Sequence, residues 1–302
     1  MKKDATHSHR SGFVAIVGRP NVGKSTLINA LLSQKIAAVS PRPQTTRINQ
    51  MGILTRDDAQ IIFVDTPGVH HPRHKLGNKM NEKAGQSLED CDVILFLVDA
   101  SQAPTDEDVL LANLTNRLKH PHPVILVLNK TDLANSEILD KNKEAFANLV
   151  PIARQVETCA TRGEGIAELI AQAIAHLPEN PSLFPESQTT DLFERDLCAD
   201  LIREASLILL RDEVPHGIAV RIDQFTERGD QGAYIEATIF VEKESHKGIV
   251  IGRGGQMLKE IGSHARREIE TMTGRKVFLR LRVKVRKNWR DDEGMLRWLG
   301  YS

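Results

Sequence analysis

The sequence predicts a doubly wound α/β domain followed by a smaller α+β domain. Three observations predict it. Short, continuously apolar runs alternate with amphipathic stretches from Phe13 to Leu177. A tract with prolines at 178, 181 and 185 then interrupts that alternation. Beyond it, strand-like segments alternate apolar and polar residues instead of being apolar throughout.

The runs FVAIV, IIFVD, VILFLVD and VILVLN lack polar alternation, which is the signature of strands buried on both faces of a parallel sheet. Amphipathic segments such as Glu107 to Lys119 and Glu137 to Leu149 supply the crossover helices, with right-handed connections. Two-sided burial excludes an antiparallel sandwich for this half. The tract LPENPSLFPESQTTD cannot continue a helix and predicts an extended connector. The expected boundaries are a flexible tail at 1–11, a first domain at 12–177, a linker at 178–191 and a second domain at 192–302.

In the second domain, Phe193 to Leu210 has helical periodicity, GIAVRID and AYIEATIFVE read as strands, and 227–232 as a turn. A short helix, the GRGG loop, a helix from Met257 to Met272 and the alternating strand VFLRLRVKVRK complete it. The order α-β-β-α-α-β, with glycines between the paired helices, is the layout of a type II KH domain. Three cysteines, odd in number and in no CxxC pairing, read as buried thiols of a reducing compartment. No apolar stretch suits a secretory signal or a membrane span, so a cytoplasmic location is expected. Formal net charge is zero, but 246–290 holds 13 Lys and Arg against three Glu. The rest of the chain is correspondingly acidic, which points to an anionic partner for the C-terminal end.

Gly18-Arg19-Pro20-Asn21-Val22-Gly23-Lys24-Ser25 fits G-x-x-x-x-G-K-[ST] and sits between a strand and a helix opening at Ser25-Thr26. Backbone N–H groups in such a loop curl around phosphate oxygens at a helix N-terminus. Lys24 is placed to bridge β- and γ-phosphates, and the Ser25 hydroxyl to ligate Mg²⁺. Asp65-Thr66-Pro67-Gly68 ends the next strand: Asp65 can hold Mg²⁺ through water, and the Gly68 N–H can sense the γ-phosphate. Asn129-Lys130-Thr131-Asp132 chooses the base, because a carboxylate at Asp132 accepts from both N1–H and N2–H₂ of guanine. Adenine has no such donor pair and would leave the carboxylate desolvated and unpaired. Asn129 and the Lys130 stem brace the base, and the N–H groups of Cys159-Ala160 complete the pocket. In the polar loop 40–47, Thr46 is the expected switch ligand for Mg²⁺, with Thr45 the alternative. The nucleotide is therefore GTP, and Lys24, Thr46 and Gly68 are the candidate catalytic residues.

The ordered set GRPNVGKS, QTTR, DTPG, NKTD and Cys-Ala, followed by VIGRGG and VKVRKNWRDDEGMLRWLGY, resembles the Era family of bacterial GTPases of small-ribosomal-subunit assembly. The resemblance runs from about Gly12 to the C-terminus. It implies a KH domain that binds single-stranded RNA near the 3′ end of 16S rRNA, with the GTP state gating the interaction, and a peripheral association with the inner membrane. Gly252-Arg253-Gly254-Gly255 matches the GxxG clamp. Ile249, Val250 and Ile251 are then expected as the apolar groove floor, with Lys247, Arg253 and Lys259 near phosphates. Two features bear on the comparison. Cys159-Ala160 stands where the family usually has Ser-Ala. Val69 stands where Ras-like enzymes place a water-orienting glutamine, which the family also lacks. In some relatives an asparagine at the position of Asn21 coordinates potassium in place of an arginine finger, so K⁺ is a further expected cofactor.

His70, His71 and His74 follow DTPG and read as a mobile, solvated switch segment rather than a metal site, with a histidine acting on the water as the alternative. Trp289 and Trp298 read as caps on the core of the small domain, and Glu204 as part of a solvated helix face. Two other functions remain open on sequence alone: an RNA adaptor or chaperone with incidental hydrolysis, and a membrane-linked switch whose basic C-terminal strand meets anionic lipid. A monomer is the expected state.

Overall fold

The computed structural model describes residues 9–40, 42, 46–72, 74–227 and 232–301. The chain forms two compact units. The first comprises 1–34, 46–71 and 80–191, and the second comprises 35–45, 72–79 and 192–302.

The first unit is built on a six-stranded sheet. In chain order its elements are β1 (Arg10–Val17), α1 (Lys24–Leu32), β2 (Gln50–Thr55), β3 (Ala59–Asp65), α2 (Lys75–Glu89, whose first turns belong to the second unit), β4 (Val93–Asp99), α3 (Asp106–Asn116), β5 (Val124–Asn129), α4 (Ser136–Ala147), β6 (Arg154–Glu157) and α5 (Ile166–His176). The strand order is β2-β3-β1-β4-β5-β6. All pairings are parallel except β2 with β3. The fully buried β4 and β5 are the two most apolar runs, as two-sided burial requires. One face is covered through α2, α3 and α4, whose Leu88, Leu111 and Phe146 join Val17, Phe96 and Leu126 in a core. β2 escapes sequence reading because QMGILT is short and mixed, and an antiparallel edge strand needs no continuous apolar run.

Two boundaries differ from expectation. Arg10 and Ser11 belong to β1 rather than to a tail, because Arg10 pairs with Ala59 and its guanidinium donates to the carbonyls of Ala175 and Leu177 at 3.1 and 2.7 Å. The proline-rich segment is extended, but it is docked along the β2–β3 edge. The Ile53 N–H donates to the Thr189 carbonyl at 2.9 Å, and the buried Gln60 Oε1 accepts from the N–H groups of Leu183 and Phe184 at 2.7 and 2.9 Å. The Ile53 bond satisfies a backbone group that an edge strand otherwise leaves open, and the Gln60 bonds satisfy two N–H groups of the docked segment.

The second unit contains α6 (Glu194–Leu209), β7 (Ala219–Glu227), β8 (Ala233–Val241), α7 (Glu244–Ile251), α8 (Gln256–Thr273), β9 (Val277–Val285) and the short α9 (Glu293–Trp298). Its sheet order is β7-β8-β9, antiparallel then parallel, with a register shift between Ile222 and Gln224. Cys198, Ile202 and Ala205 of α6 and Ile261, Ala265 and Ile269 of α8 pack on the inward face carried by Ile235, Ala237 and Ile239. Glu204 is not on a solvated face. It is buried, Lys35 of the same unit donates to it at 3.0 Å, and burial holds its carboxyl above the usual range despite that ammonium. Trp289 is fully buried, and its Nε1–H donates to the Gly217 carbonyl at 2.9 Å. Trp298, by contrast, is 46% exposed.

Trp289→Ala removes a large buried ring and orphans that carbonyl, so it should destabilise the second unit by about 3–5 kcal/mol. Urea unfolding followed by far-UV circular dichroism measures this, and the transition of the first unit should stay in place.

Candidate nucleotide site and RNA-facing turn

The expected nucleotide residues converge at the carboxyl ends of β1, β3 and β5, where open α/β sheets bind ligands. The loop after β1 turns through left-handed residues at Asn21 (φ 66) and Gly23 (φ 106). The first intrahelical bond of α1 runs from the Leu27 N–H to the Gly23 carbonyl. The N–H groups of Lys24, Ser25 and Thr26 precede it and open toward the loop's concave side. The buried Lys24 ammonium donates to the Gly18 and Arg19 carbonyls at 2.9 and 3.0 Å, which curls its stem back over the loop. Burial pushes its pKa down to about 8, against the opposing pull of Asp65. Arg19 turns away from the cradle, its Nη2 donating to Gln102 at 2.7 Å and its Nε lying 3.3 Å from Asp108. Its head group is thus tied to neighbouring side chains, while its charge still helps to lower the Lys24 pKa.

Ser25, Thr46 and Asp65 come together as expected for the metal. Ser25 Oγ lies 2.8 Å from Thr46 Oγ1, and both hydroxyls lie 3.0 Å from Asp65 Oδ2. Two hydroxyls and a fully buried carboxylate form a hard oxygen set of the kind Mg²⁺ takes, together with waters and phosphate. Thr45 lies outside the described residues. Thr66 is turned inward, its hydroxyl donating to the Ile16 carbonyl at 2.8 Å, which pins the start of the loop carrying Pro67 and Gly68. Gly68 abuts Pro20 so closely that a Cβ would fall 2.9 Å from the Pro20 nitrogen. His70 is buried rather than solvated. Its Nδ1 lies 2.9 Å from the Gly68 carbonyl, and Asn81 of α2 accepts from its N–H and donates to its carbonyl. No metal-binding group of histidine, cysteine or carboxylate side chains exists among the described residues.

The base pocket is tied by Asn129. Its Nδ2–H donates to the Val22 carbonyl at 2.8 Å, and its Oδ1 accepts from the Ala160 N–H at 3.1 Å and from the Thr158 hydroxyl at 3.2 Å. Its side chain thus braces loops. Lys130 adopts φ 62 and donates to the Asn21 carbonyl at 2.7 Å and to Asp99 at 2.8 Å. Burial alone would raise the Asp99 carboxyl, but hydrogen bonds from Lys130 and Ser101 outweigh it and hold it low. Cys159 Sγ donates to Asp132 Oδ1 at 3.1 Å, so the thiol still holds the carboxylate. Arg162 stands 3.6 Å from the other carboxylate oxygen. Sequence reading missed Asp99, Thr158 and Asn81. Only Asp99 carried a signal, as the acid that ends the apolar run VILFLVD.

In the second unit, α7 ends at Gly252 (φ 74, ψ 173), and Gly254 (φ 59) and Gly255 (φ 81) complete the turn into α8. A Cβ on Gly252 would meet Met257 at 2.7 Å, whereas one on Gly254 or Gly255 would meet nothing within 4 Å. Gly252 thus closes the fold, while Gly254 and Gly255 leave an open approach for a partner's backbone. Arg253 and Lys259 are exposed, and Lys247 sits 3.8 Å from Glu244. Ile249 is exposed and Ile251 part-buried. Val250 is fully buried in the core, so it belongs to the packing of the domain and not to a groove floor. The helical period sends the middle residue of the triplet inward.

Because the Asp132 carboxylate asks for the paired donors of guanine, the fold and site define a P-loop GTPase that carries a KH domain. The first half matches the family described as 50S ribosome-binding GTPase over residues 13–130, and the second matches the KH domain over 213–290. The chain is 46% identical to GTPase Era of Halothermothrix orenii, over 98% of this chain and 99% of the relative. It is 48% identical to GTPase Era of Caldicellulosiruptor saccharolyticus, over 97% and 98%. A crystal structure of Era in complex with MgGDPNP and nucleotides 1506–1542 of 16S ribosomal RNA superposes with a TM-score of 0.91 at 41% identity, covering 97% of this chain and 99% of that one. An Aquifex aeolicus Era variant bound to GDP.AlF4⁻ superposes at 0.89 and 42% identity, with the same coverage. The chain belongs to the Era family of GTPases.

Asp132→Asn replaces the acceptor with an amide whose N–H matches the 2-oxo group of xanthine. GTP affinity should fall at least about a hundredfold while xanthosine triphosphate affinity rises, since a guanine N–H then faces a donor. Titration with fluorescent analogues of both nucleotides checks this.

Proposed function

We propose that this chain is a GTP-driven switch that recognises the 3′ region of 16S rRNA through its KH unit and assists assembly of the small ribosomal subunit. The observation that supports it most is the pairing, in one chain, of a guanine-selecting pocket with a GxxG turn whose last two glycines are open to an approaching backbone. A family relative has been crystallised with nucleotides 1506–1542 of 16S ribosomal RNA, which supports the same partner here.

The hydrolytic chemistry is phosphoryl transfer to water, carried mostly by positioning and charge. With nucleotide bound, the Lys24 ammonium would exchange its bonds to the Gly18 and Arg19 carbonyls for phosphate oxygens, and the Gly68 N–H would be the γ-phosphate donor. Ser25, Thr46 and Asp65 would hold Mg²⁺, which supplies neutralising charge to the phosphates. Thr46 would be the residue through which γ-phosphate occupancy is felt by the segment that carries it. Val69 is buried and apolar, so no side chain of that position orients the water. With no glutamine there to position the water, intrinsic turnover is expected to be slow. Asn21 at the loop crest is the proposed K⁺ ligand, and loss of potassium stimulation in Asn21→Ala would support that role. Peripheral contact with the inner face of the cell membrane is proposed from the family resemblance; no helix among the described residues is long and apolar enough to cross a membrane. Flotation with anionic vesicles tests it.

The deciding experiment is binding of the full-length protein to a single-stranded RNA copying the 16S 3′ end, against a scrambled RNA, with GTP analogue, GDP or no nucleotide. Selective binding that changes with nucleotide is expected, and Gly254→Asp, which puts a charge on the open side of the turn, should weaken it at least about tenfold. Equal binding of the scrambled RNA, unaffected by nucleotide, would contradict the switch.

A further inference from the structure

The outward face of the β7-β8-β9 sheet has no role in the site so far described, and its chemistry is not that of an ordinary solvated surface. Alternation along β9 sends Leu279, Leu281 and Val283 to the core, and Phe278, Arg280, Arg282 and Lys284 outward. The parallel register sets Phe278 beside Tyr234, Arg280 beside Glu236 and Arg282 beside Thr238 on β8. Phe278 is 63% exposed, and its ring stacks on Tyr234 with centroids 5.4 Å apart and planes 11° from parallel. Glu236 accepts from the Tyr234 hydroxyl and from Arg280 and Arg282 at 3.1 and 3.0 Å. One carboxylate therefore fixes an aromatic platform and two guanidiniums in a single array. On β7, Arg221 lies 3.8 Å over the ring of Trp298. Four cations share this face with two carboxylates, Asp223 and Glu236, and both acids are already engaged with arginines.

We propose that this face is a second RNA surface, on the side of the sheet opposite the GxxG turn, which takes single-stranded RNA. A base stacks on Phe278, and Arg280, Arg282 and Lys284 meet successive phosphates. The inference rests on the RNA-binding reading of the KH unit. Three arguments select this partner. An exposed ring with a parallel mate is a ready platform for a base, and such stacking contributes about 1–3 kcal/mol per base. Outward residues two apart on a strand stand roughly 6.7 Å apart, the scale of one extended nucleotide. The carboxylate at the centre of the face opposes a flat anionic bilayer, but it leaves room for a strand in which phosphates alternate with bases. α6 and α8 cover the inner face of the sheet, and α7 and α8, which flank the GxxG turn, both contact the edge strand β9, so RNA held at the turn can pass to the outer face around β9. Two sites reached in that way give one ligand two attachments and raise its effective concentration.

The test uses the full-length protein with two RNAs from the 16S 3′ region: a short one of about six nucleotides that fills only a KH groove, and one of about twenty nucleotides. The probe variants are Phe278→Ala and the double variant Arg282→Gln with Lys284→Gln, all at exposed positions. Each should weaken the long RNA about tenfold and leave the short RNA unchanged. The double variant should also flatten the salt dependence of long-RNA binding by roughly 1.4 in log–log slope. Unchanged affinity for the long RNA overturns the proposal, as does equal loss on both RNAs. It is also overturned if the variants lose sedimentation with phosphatidylglycerol vesicles while RNA binding persists, since the face would then be lipid-directed. Failure of the unaltered protein to bind either RNA sinks the RNA reading itself.

Discussion

The side-chain amide of Asn129 joins three loops that the chain delivers from distant positions. Its donor fixes the Val22 carbonyl of the phosphate loop, and its acceptor fixes the Ala160 N–H of the base loop. The residue is 2% exposed, so these bonds form where water cannot replace them. A buried amide deprived of partners costs about 1–3 kcal/mol, and here the same loss would also let phosphate and base contacts drift apart. The neighbouring Lys130 repeats the pattern at the rim, reaching the Asn21 carbonyl and Asp99. One tetrapeptide thus has two assignments in this account: Asp132 is the proposed base selector, while Asn129 and Lys130 tie the base loop to the phosphate loop.

The sheet makes that arrangement possible. Fully buried β4 and β5 hold their carboxyl ends in register, Asp99 opposite Asn129, so that loops rather than strands carry all the adaptable parts. Rigid strands with functional loops are the usual division of labour in α/β proteins. The second unit divides its work differently. Its inward face and two helices form the core, Gly252 closes the turn against Met257, and the chemistry lies on exposed residues.

Much of this was legible in the sequence, for identifiable reasons. Motifs whose chemistry demands a fixed spacing, such as Gly18 to Ser25 and Asn129 to Asp132, announce residues that the structure brings together. Continuous apolar runs announced the central strands. What stayed hidden depends on geometry that no local pattern encodes. β2 is an edge strand with a mixed composition. Glu204 looks like any acid on an amphipathic helix, yet it is buried against Lys35. Val250 sits in an apolar triplet whose three members face three directions. His70 follows a polar-looking loop, but it is drawn inward by Asn81, a residue with no motif of its own. The alternating pattern of β9 gave its two faces, but the stacking of Phe278 on Tyr234 required the parallel register of β8 and β9.

Asn129→Ala offers the most direct measurement of the central claim, read by GDP affinity and by hydrogen exchange of the nucleotide-free protein. If Asn129 joins the loops, GDP affinity falls at least about a hundredfold. Exchange also accelerates in residues 18–27 and 158–162 while β4 and β5 keep their protection. If affinity falls but exchange in both segments is unchanged, Asn129 acts only by touching the base. If neither changes, the loops are held by other bonds and the account is wrong.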